Sequence, residues 1–300
     1  MEQQSKAYLY AAASILMWAT VASAFKIALR HQSPTALLLL ASAVATLTLA
    51  GLAAAQGRLG ALRHWPKRQL LRSALLGLLN PCLYYLILFR AYERLPAQEA
   101  QPLNFIWPLV LVLFSALFLR QPLGRATLPG MALSFLGVLI ISTRGDLAGW
   151  QVSDPLGVGL ALASTLVWAG YWTLGVRDPQ DPLLRLLLNF GFGLLWVAGY
   201  VALLEPVRLP GPAGLAAAAY VGLFEMGLTF FAWLRALQLS RSTAQVGALI
   251  FFTPFLSLVV ISMVLGEPIL PSTLAGLGLI VAGILVQRYG ESLLGRRQRS

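Results

Sequence analysis

Ten times along the chain, a run of about twenty mostly apolar residues recurs, at roughly 7–28, 35–55, 72–92, 97–119, 126–143, 156–176, 183–204, 214–236, 243–265 and 271–288. Each run is long enough to carry a helix across about 30 Å of hydrocarbon. With no water to satisfy its backbone, a lipid-embedded chain is left with helices or a closed barrel. The short alternating segments that mark a barrel do not occur in this sequence. Composition agrees, because only 11% of residues are charged and 58% are hydrophobic, against about 25% charged in soluble domains. The chain is therefore predicted to be all-α: a polytopic membrane protein of ten transmembrane helices, with the lipid bilayer as its surroundings.

The net charge of +11 would point to nucleic acid in a soluble protein. Here the basic residues sit in short connections, where they set topology, so no nucleic-acid partner is expected. With ten spans and the N-terminus inside, only Lys26, Arg30, Arg90, Arg94, Arg144 and Arg208 fall outside, leaving sixteen of the 22 cations inside. That asymmetry predicts both termini on the cytoplasmic side. Met1 to Lys6 leads straight into the first run without a small-residue cleavage site, which reads as an uncleaved first span.

One stretch is present twice. Arg90-Ala91, Pro108, Leu119-Arg120-Gln121-Pro122, Gly130 and Gly137 are matched by Arg235-Ala236, Pro254, Leu265-Gly266-Glu267-Pro268, Gly276 and Gly283. The offset is 145 at the arginines and 146 from the proline onward. Ser14 to Ala19 likewise matches Ser164 to Ala169 at 150, and Asn80 and Tyr84 match Glu225 and Thr229 at 145. Five spans per copy is an odd number, so the second copy crosses the membrane in the opposite sense, as two inverted five-helix repeats. The expected units are 1–146 and 151–290, followed by a basic cytoplasmic tail at 291–300. The middle of the first copy, Gln101 to Pro108, carries Asn104 and Trp107 where its twin, Val246 to Pro254, reads as apolar.

Two five-span halves, each ending in a Pro-centred helix, a Leu-Gly-Glu-Pro corner and a Gly-rich helix, resemble the drug/metabolite transporter superfamily, and within it the EamA-type exporters. Leu265 to Val286 fits that pattern, whereas Leu119-Arg120-Gln121-Pro122 lacks the glycine and the acid. The resemblance covers essentially the whole chain. It is strongest to bacterial exporters of aromatic amino acids, and it implies a secondary transporter in the bacterial inner membrane whose partner is a small-molecule substrate.

In repeat transporters, substrate binds near the midplane where the halves meet. The polar and aromatic residues that fall mid-span are Trp18, Asn80, Tyr84, Tyr85, Gln101, Asn104, Trp107, Trp168, Trp172 and Glu225, and these are the candidate substrate-binding residues. Asn80 with Tyr84, Trp168 with Trp172, and Gln101 with Asn104 are three or four apart and share helical faces. Glu225 is the sharpest signal, since a carboxylate at membrane depth costs several kcal/mol unless paired, solvated or protonated. It reads either as a cavity residue meeting an amine or a proton, or as a protonated acid bonded between helices. Trp107 reads as a stacking platform beside the Pro108 kink, or as filler for that kink. Asn80 and Asn104 read as ligands for a small zwitterion or as interhelical bonds. Pro81, Pro108 and Pro254 are candidate flexure points. Tyr8, Tyr10, Trp65 and Trp150 read as interfacial belt. The Gly130/Gly137 and Gly276/Gly283 pairs read as packing within the chain or as a dimer face, so the protein is expected as a monomer or weak homodimer.

Several functions are disfavoured. No span centre holds Lys or Arg, which phosphorylated substrates would require. No Gly-x-x-x-x-Gly-Lys-Ser/Thr loop occurs, His31 and His64 lie in loops, and the lone cysteine, Cys82, lies within a span. No cofactor, metal site or disulfide is expected. A membrane-embedded transferase would need a His, Asp or Ser constellation at the membrane edge, and none is seen, so the chain is not expected to be an enzyme. The leading expectation is export of aromatic and other apolar amino acids by alternating access, with multidrug export of organic cations as the alternative.

Overall fold

The apolar runs become helices because only a helix satisfies each backbone group within a single segment in lipid. In order they are α1 (Gln3–Leu29), α2 (Pro34–Ala55), α3 (Lys67–Arg94), α4 (Ala97–Leu119), α5 (Thr127–Ser142), α6 (Pro155–Gly175), α7 (Pro182–Leu203), α8 (Pro212–Leu239), α9 (Leu249–Leu265) and α10 (Pro271–Gly290). Eight are long and apolar enough to cross a membrane, while α5 and α9 are shorter apolar helices. This computed structural model describes residues 2–120, 125–146, 148, 152–175, 180–205, 208–241, 246 and 249–297, with backbone alone at 2 and 291–297. Gln121, Pro122 and Trp150 lie outside the described residues, as does most of 242–248, where the ninth span was expected to begin. No strand occurs among the described residues.

Four of the helices are interrupted. In α3, residues Leu78–Leu83 form a π-helical turn in which Asn80 is extended, at φ −140° and ψ 117°. A matching wide turn, Val221–Leu228, interrupts α8. Within α4, Ala97–Asn104 and Trp107–Leu119 are separate helical pieces joined at Phe105 and Ile106. The α9 helix begins as a 3₁₀ turn, Leu249–Phe252, before Thr253–Leu265. Pro108 and Pro254 were expected to kink a continuous helix. Instead each sits in the first turn of the piece after the break, where a missing N–H leaves no bond unmade. The α8 turn contains no proline, and its only breaker residues are Gly222 and Gly227.

Helices of the two sequence copies pack on one another reciprocally. The first helix of each copy lies against the third helix of the other, α1 on α8 and α6 on α3. The second helices do the same, α2 on α8 and α7 on α3, and the first helices also meet the fourth, α1 on α9 and α6 on α4. Glycines make these approaches possible. Gly77 faces Asn189 and Gly193 of α7, and Gly222, which is 145 positions on, faces Ala41 and Val44 of α2. The α5 and α10 helices cross antiparallel, so a methyl at Gly130 would meet Gly283 O at 2.5 Å and Gln287 Cβ at 2.8 Å. Gly137 and Gly276 make the equivalent approach. Both glycine pairs therefore pack within the chain.

At one end of the bundle, here called the latched end, ion pairs and caps tie the connections together. Lys26 Nζ donates to Tyr92 O at 2.7 Å and Leu95 O at 3.0 Å. The Glu267 carboxylate accepts from Ala97 N and Gln98 N, both at 3.2 Å. A cation thus caps the C-terminus of α3 and an anion the N-terminus of α4, each favourable toward the helix dipole by roughly 0.3–1 kcal/mol. Gln98 bonds Pro268 O and Leu270 N. Glu99, nearly fully buried, holds Arg144 at 2.7 Å and Ser153 at 2.6 Å. Arg90 meets Glu205 at 2.7 Å, and Arg94 meets Asp154 at 3.0 Å. Gly157 N and then Arg94 hold the Asp154 carboxyl below the usual range.

At the opposite, basic end, Arg72 donates to Leu174 O and Arg185 to Gly175 O at 3.2 Å. Among its described contacts, Gln4 accepts from Arg241 N at 2.8 Å and Arg58 pairs with Asp181 at 2.8 Å. Of the expected belt residues, Tyr8 is exposed, whereas Trp65 is buried in the main core at 9% exposure. That corrects the belt reading for Trp65.

Because the α5–α10 crossing leaves no room for side chains, Gly137→Leu is expected to cost about 1–3 kcal/mol. It should lower the detergent-solubilised melting temperature by several degrees. A melting curve unchanged from wild type would contradict the crossing.

Candidate substrate chamber

The interruptions of α4, α8 and α9 border one space, and that of α3 ends one residue before Tyr84 on its wall. A cavity of about 110 Å³ is lined by Trp18 and Phe25 of α1, Tyr84 and Tyr92 of α3, and Gln101, Asn104 and Trp107 of α4. Trp168 of α6, Glu225 of α8 and Thr253 of α9 complete its wall. Broken backbone at membrane depth is tolerated where it is buried in protein or lines a cavity, and that is where these breaks lie.

Trp168 is the hub of the aromatic wall. Its ring lies 4.6 Å from Tyr84, 5.7 Å from Trp172, 5.8 Å from Phe230 and 6.5 Å from Trp107, centre to centre. Trp18 stands on the other side of Phe230, at 6.2 Å, and packs on Trp233 at 5.5 Å. These separations are the range in which aromatic pairs add about 0.5–1.5 kcal/mol beyond their buried area. The rings therefore form a continuous aromatic wall.

The polar groups are fewer and each is specific. Tyr85 Oη donates to Glu225 Oε1 at 2.9 Å, linking α3 to α8 across 140 residues of sequence. Tyr84 Oη donates to Asn104 Oδ1 at 3.2 Å, and Asn104 Nδ2 donates to Ser164 Oγ at 2.8 Å. Two buried neutral atoms on the chamber wall, Gln101 Oε1 and Thr253 Oγ1, find no hydrogen-bond partner, while the Glu225 carboxylate is met by Tyr85 and by the Trp18 indole. An unmet buried group costs roughly 1–3 kcal/mol, so two beside a carboxylate favour a polar guest. Glu225 and the two neutral acceptors suit an ammonium group, while no Lys or Arg lines the chamber among the described residues.

Seven of the ten residues singled out from sequence line this space: Trp18, Tyr84, Gln101, Asn104, Trp107, Trp168 and Glu225. Tyr85 lies one layer behind and reaches Glu225. Trp172 lines a separate small space of about 20 Å³ with Tyr171 and Asn189. Asn80 is fully buried in the wide turn of α3, away from the chamber wall, with neither side-chain polar atom bonded.

Sequence reasoning missed Tyr92, Phe25 and Thr253. Tyr92 was legible as the third member of a Tyr84–Leu88–Tyr92 stripe at helical spacing. Thr253 was legible as the repeat partner of Trp107 at offset 146, so the second copy is not wholly apolar there. Phe105 and Phe251, related by the same offset, meet at 6.2 Å.

If the Tyr85–Glu225 bond holds α3 to α8, Tyr85→Phe and Glu225→Gln should not add in a double-mutant cycle. Thermal unfolding in detergent is expected to give a coupling of about 0.5–3 kcal/mol. Strict additivity would mean the two groups do not interact.

The EamA-like transporter family matches this chain over residues 5–143 and 155–288. An uncharacterized transporter of Archaeoglobus fulgidus is 24% identical over 285 residues, covering 94% of this chain and 98% of the relative. The probable terminal-alkyne amino-acid exporter of Streptantibioticus cattleyicolor is 29% identical over 308 residues, covering 99% and 97%. The aromatic amino acid exporter YddG of Escherichia coli is 27% identical over 238 residues, covering 75% and 78%. A crystal structure superposes with a TM-score of 0.67 at 25% identity over 99% of each chain. With the family match spanning both halves, the chain belongs to the EamA-like transporter family.

Proposed function

We propose that this protein is a secondary transporter that exports aromatic and other apolar amino acids across the bacterial inner membrane by alternating access. What carries the reading is the chamber. It joins a wall of aromatic rings centred on Trp168 to a single carboxylate, Glu225, and to unbonded acceptors at Gln101 and Thr253. An amino acid with an aromatic side chain offers a ring to the first and an ammonium group to the second. Relatives named as amino-acid exporters, at 24–29% identity, support the same substrate class.

In this reading 1–146 and 151–290 are inverted five-helix repeats, and the reciprocal packing of α1 on α8 and α6 on α3 supports that arrangement. The excess of cations on the basic end supports placing it, with both termini, in the cytoplasm. The latched end then faces outward and is closed, so the conformation described here is the inward-facing one. Opening outward requires Glu267 to leave the α4 N-terminus and Lys26 to leave the α3 C-terminus. The loss would be offset by closing contacts at the basic end. The four helix breaks are the places where each half can bend about the chamber.

A second reading rests on the same carboxylate. A chamber with an acid and no cation among its described lining residues also suits organic cations.

Proteoliposomes preloaded with labelled phenylalanine distinguish the two. Efflux and counterflow of aromatic amino acids are expected from the wild type, with a decrease of tenfold or more in Glu225→Gln. Absence of transport for every aromatic and apolar amino acid would overturn the reading. Protection against organic cations that is lost in Glu225→Gln would favour the alternative. Glu267→Gln weakens the latch and is expected to shift the protein toward the outward-open form, raising labelling of a cysteine placed at Phe105 from the outer side. Unchanged labelling would count against the latch.

A further inference from the structure

The chamber as it stands is small. At about 110 Å³ it is below the roughly 150 Å³ of an engineered apolar cavity that admits benzene. An aromatic amino acid does not fit it without rearrangement. A second cavity, of about 440 Å³, lies directly beside it toward the basic end and shares Trp107 and Ile250 as a common wall. That volume falls in the range of small-molecule sites.

The lining of this vestibule is sorted by chemistry. Trp107, Trp233 and Phe251 give it aromatic walls, and Leu111, Leu237 and Ile284 add aliphatic ones. Its polar groups are Gln287 and Arg288, neighbours near the C-terminal end of α10. The Arg288 guanidinium is steered by two rings, 6.0 Å from the Phe251 centroid and 5.6 Å from that of Tyr289. Arg288 is exposed and has a further partner besides these rings, and a guanidinium with five donors can still offer a planar fork to a carboxylate. The chamber has the complementary pattern, an acid with no cation on its described wall.

We infer that this vestibule is a loading site, in which Arg288 takes the carboxylate of an amphipathic zwitterion while Trp107, Trp233 and Phe251 hold its ring. The inference rests on the amino-acid reading of the chamber and adds a second site for the same substrate. Trp107 then acts as the partition between the two sites: the ring of the substrate advances into the chamber only when the Trp107 indole moves aside. The two ends of the zwitterion are recognised in succession, the carboxylate at Arg288 and the ammonium at Glu225. A compound with an ammonium group but no carboxylate is therefore selected against at the first site.

The test uses the full chain in lipid nanodiscs, with labelled phenylalanine displaced by unlabelled phenylalanine or by phenylalaninamide, which keeps the ring and the amine. Wild type is expected to prefer phenylalanine at least tenfold. Arg288→Gln should reduce that preference to within about twofold, and Arg288→Lys, which keeps the charge, should retain most of it. Equal melting temperatures for the three proteins would show that the change is not one of folding. An Arg288→Gln protein that keeps the wild-type preference would overturn the loading site while leaving the chamber reading intact. Wild type that binds no aromatic amino acid would overturn the chamber reading, and the loading site with it.

Discussion

In hydrocarbon a backbone N–H or C=O without a partner has no water to turn to, and that constraint shapes this molecule at its centre. Most of the chain meets it with uninterrupted helix. Four helices do not, at Leu78–Leu83, Phe105-Ile106, Val221–Leu228 and Leu249–Phe252. Those of α4, α8 and α9 border the chamber, and that of α3 is packed against α7. The wide turns let Asn80 and Glu225 leave regular helix at equivalent positions of the two copies. One became a residue buried in the packing, and the other the carboxylate of the chamber.

The latch at the far end follows the same logic. A helix ending near the membrane surface exposes its last carbonyls or first amides, and a charge of the right sign is the simplest partner. Lys26 of α1 and Glu267 of the α9–α10 connection serve both ends of the α3–α4 reversal. The Glu267 contact also ties the second copy to the first. The matching corner of the first copy carries Gln121 in place of Glu267. That difference in charge is in keeping with the wide vestibule lying at the end to which that corner belongs.

Much of this was legible in the residues. Glycine spacing marked α5 and α10 as close-packing helices without saying what they pack on, and the isolated Glu225 stood out because a carboxylate at membrane depth has few explanations. The Leu-Gly-Glu-Pro corner was legible as a family mark but not as a latch, since its partners at Ala97 and Gln98 lie 170 residues away. Gly266 adopts a left-handed conformation there, at φ 69°, and Arg120 adopts the same one at φ 55° without being glycine. The sequence departs from the pattern at that point and the backbone does not. The wide turn in α8 was not legible because no proline accompanies it, and its glycines, Gly222 and Gly227, read equally well as close packing. Trp168 as the aromatic hub, and the vestibule wall drawn from α4, α8, α9 and α10, depend on contacts that periodicity does not reveal.

The central claim is that one chamber is reached in turn from two ends, and double electron–electron resonance tests it most directly. One spin-label pair at Glu93 and Pro268 would span the latched end, and another at Arg120 and Arg241 would flank the vestibule, each in a Cys82→Ala background. On addition of phenylalanine in lipid, the first pair should gain a longer distance while the second gains a shorter one, in the same proportion. Two pairs that stay fixed in a preparation that transports phenylalanine would contradict alternating access.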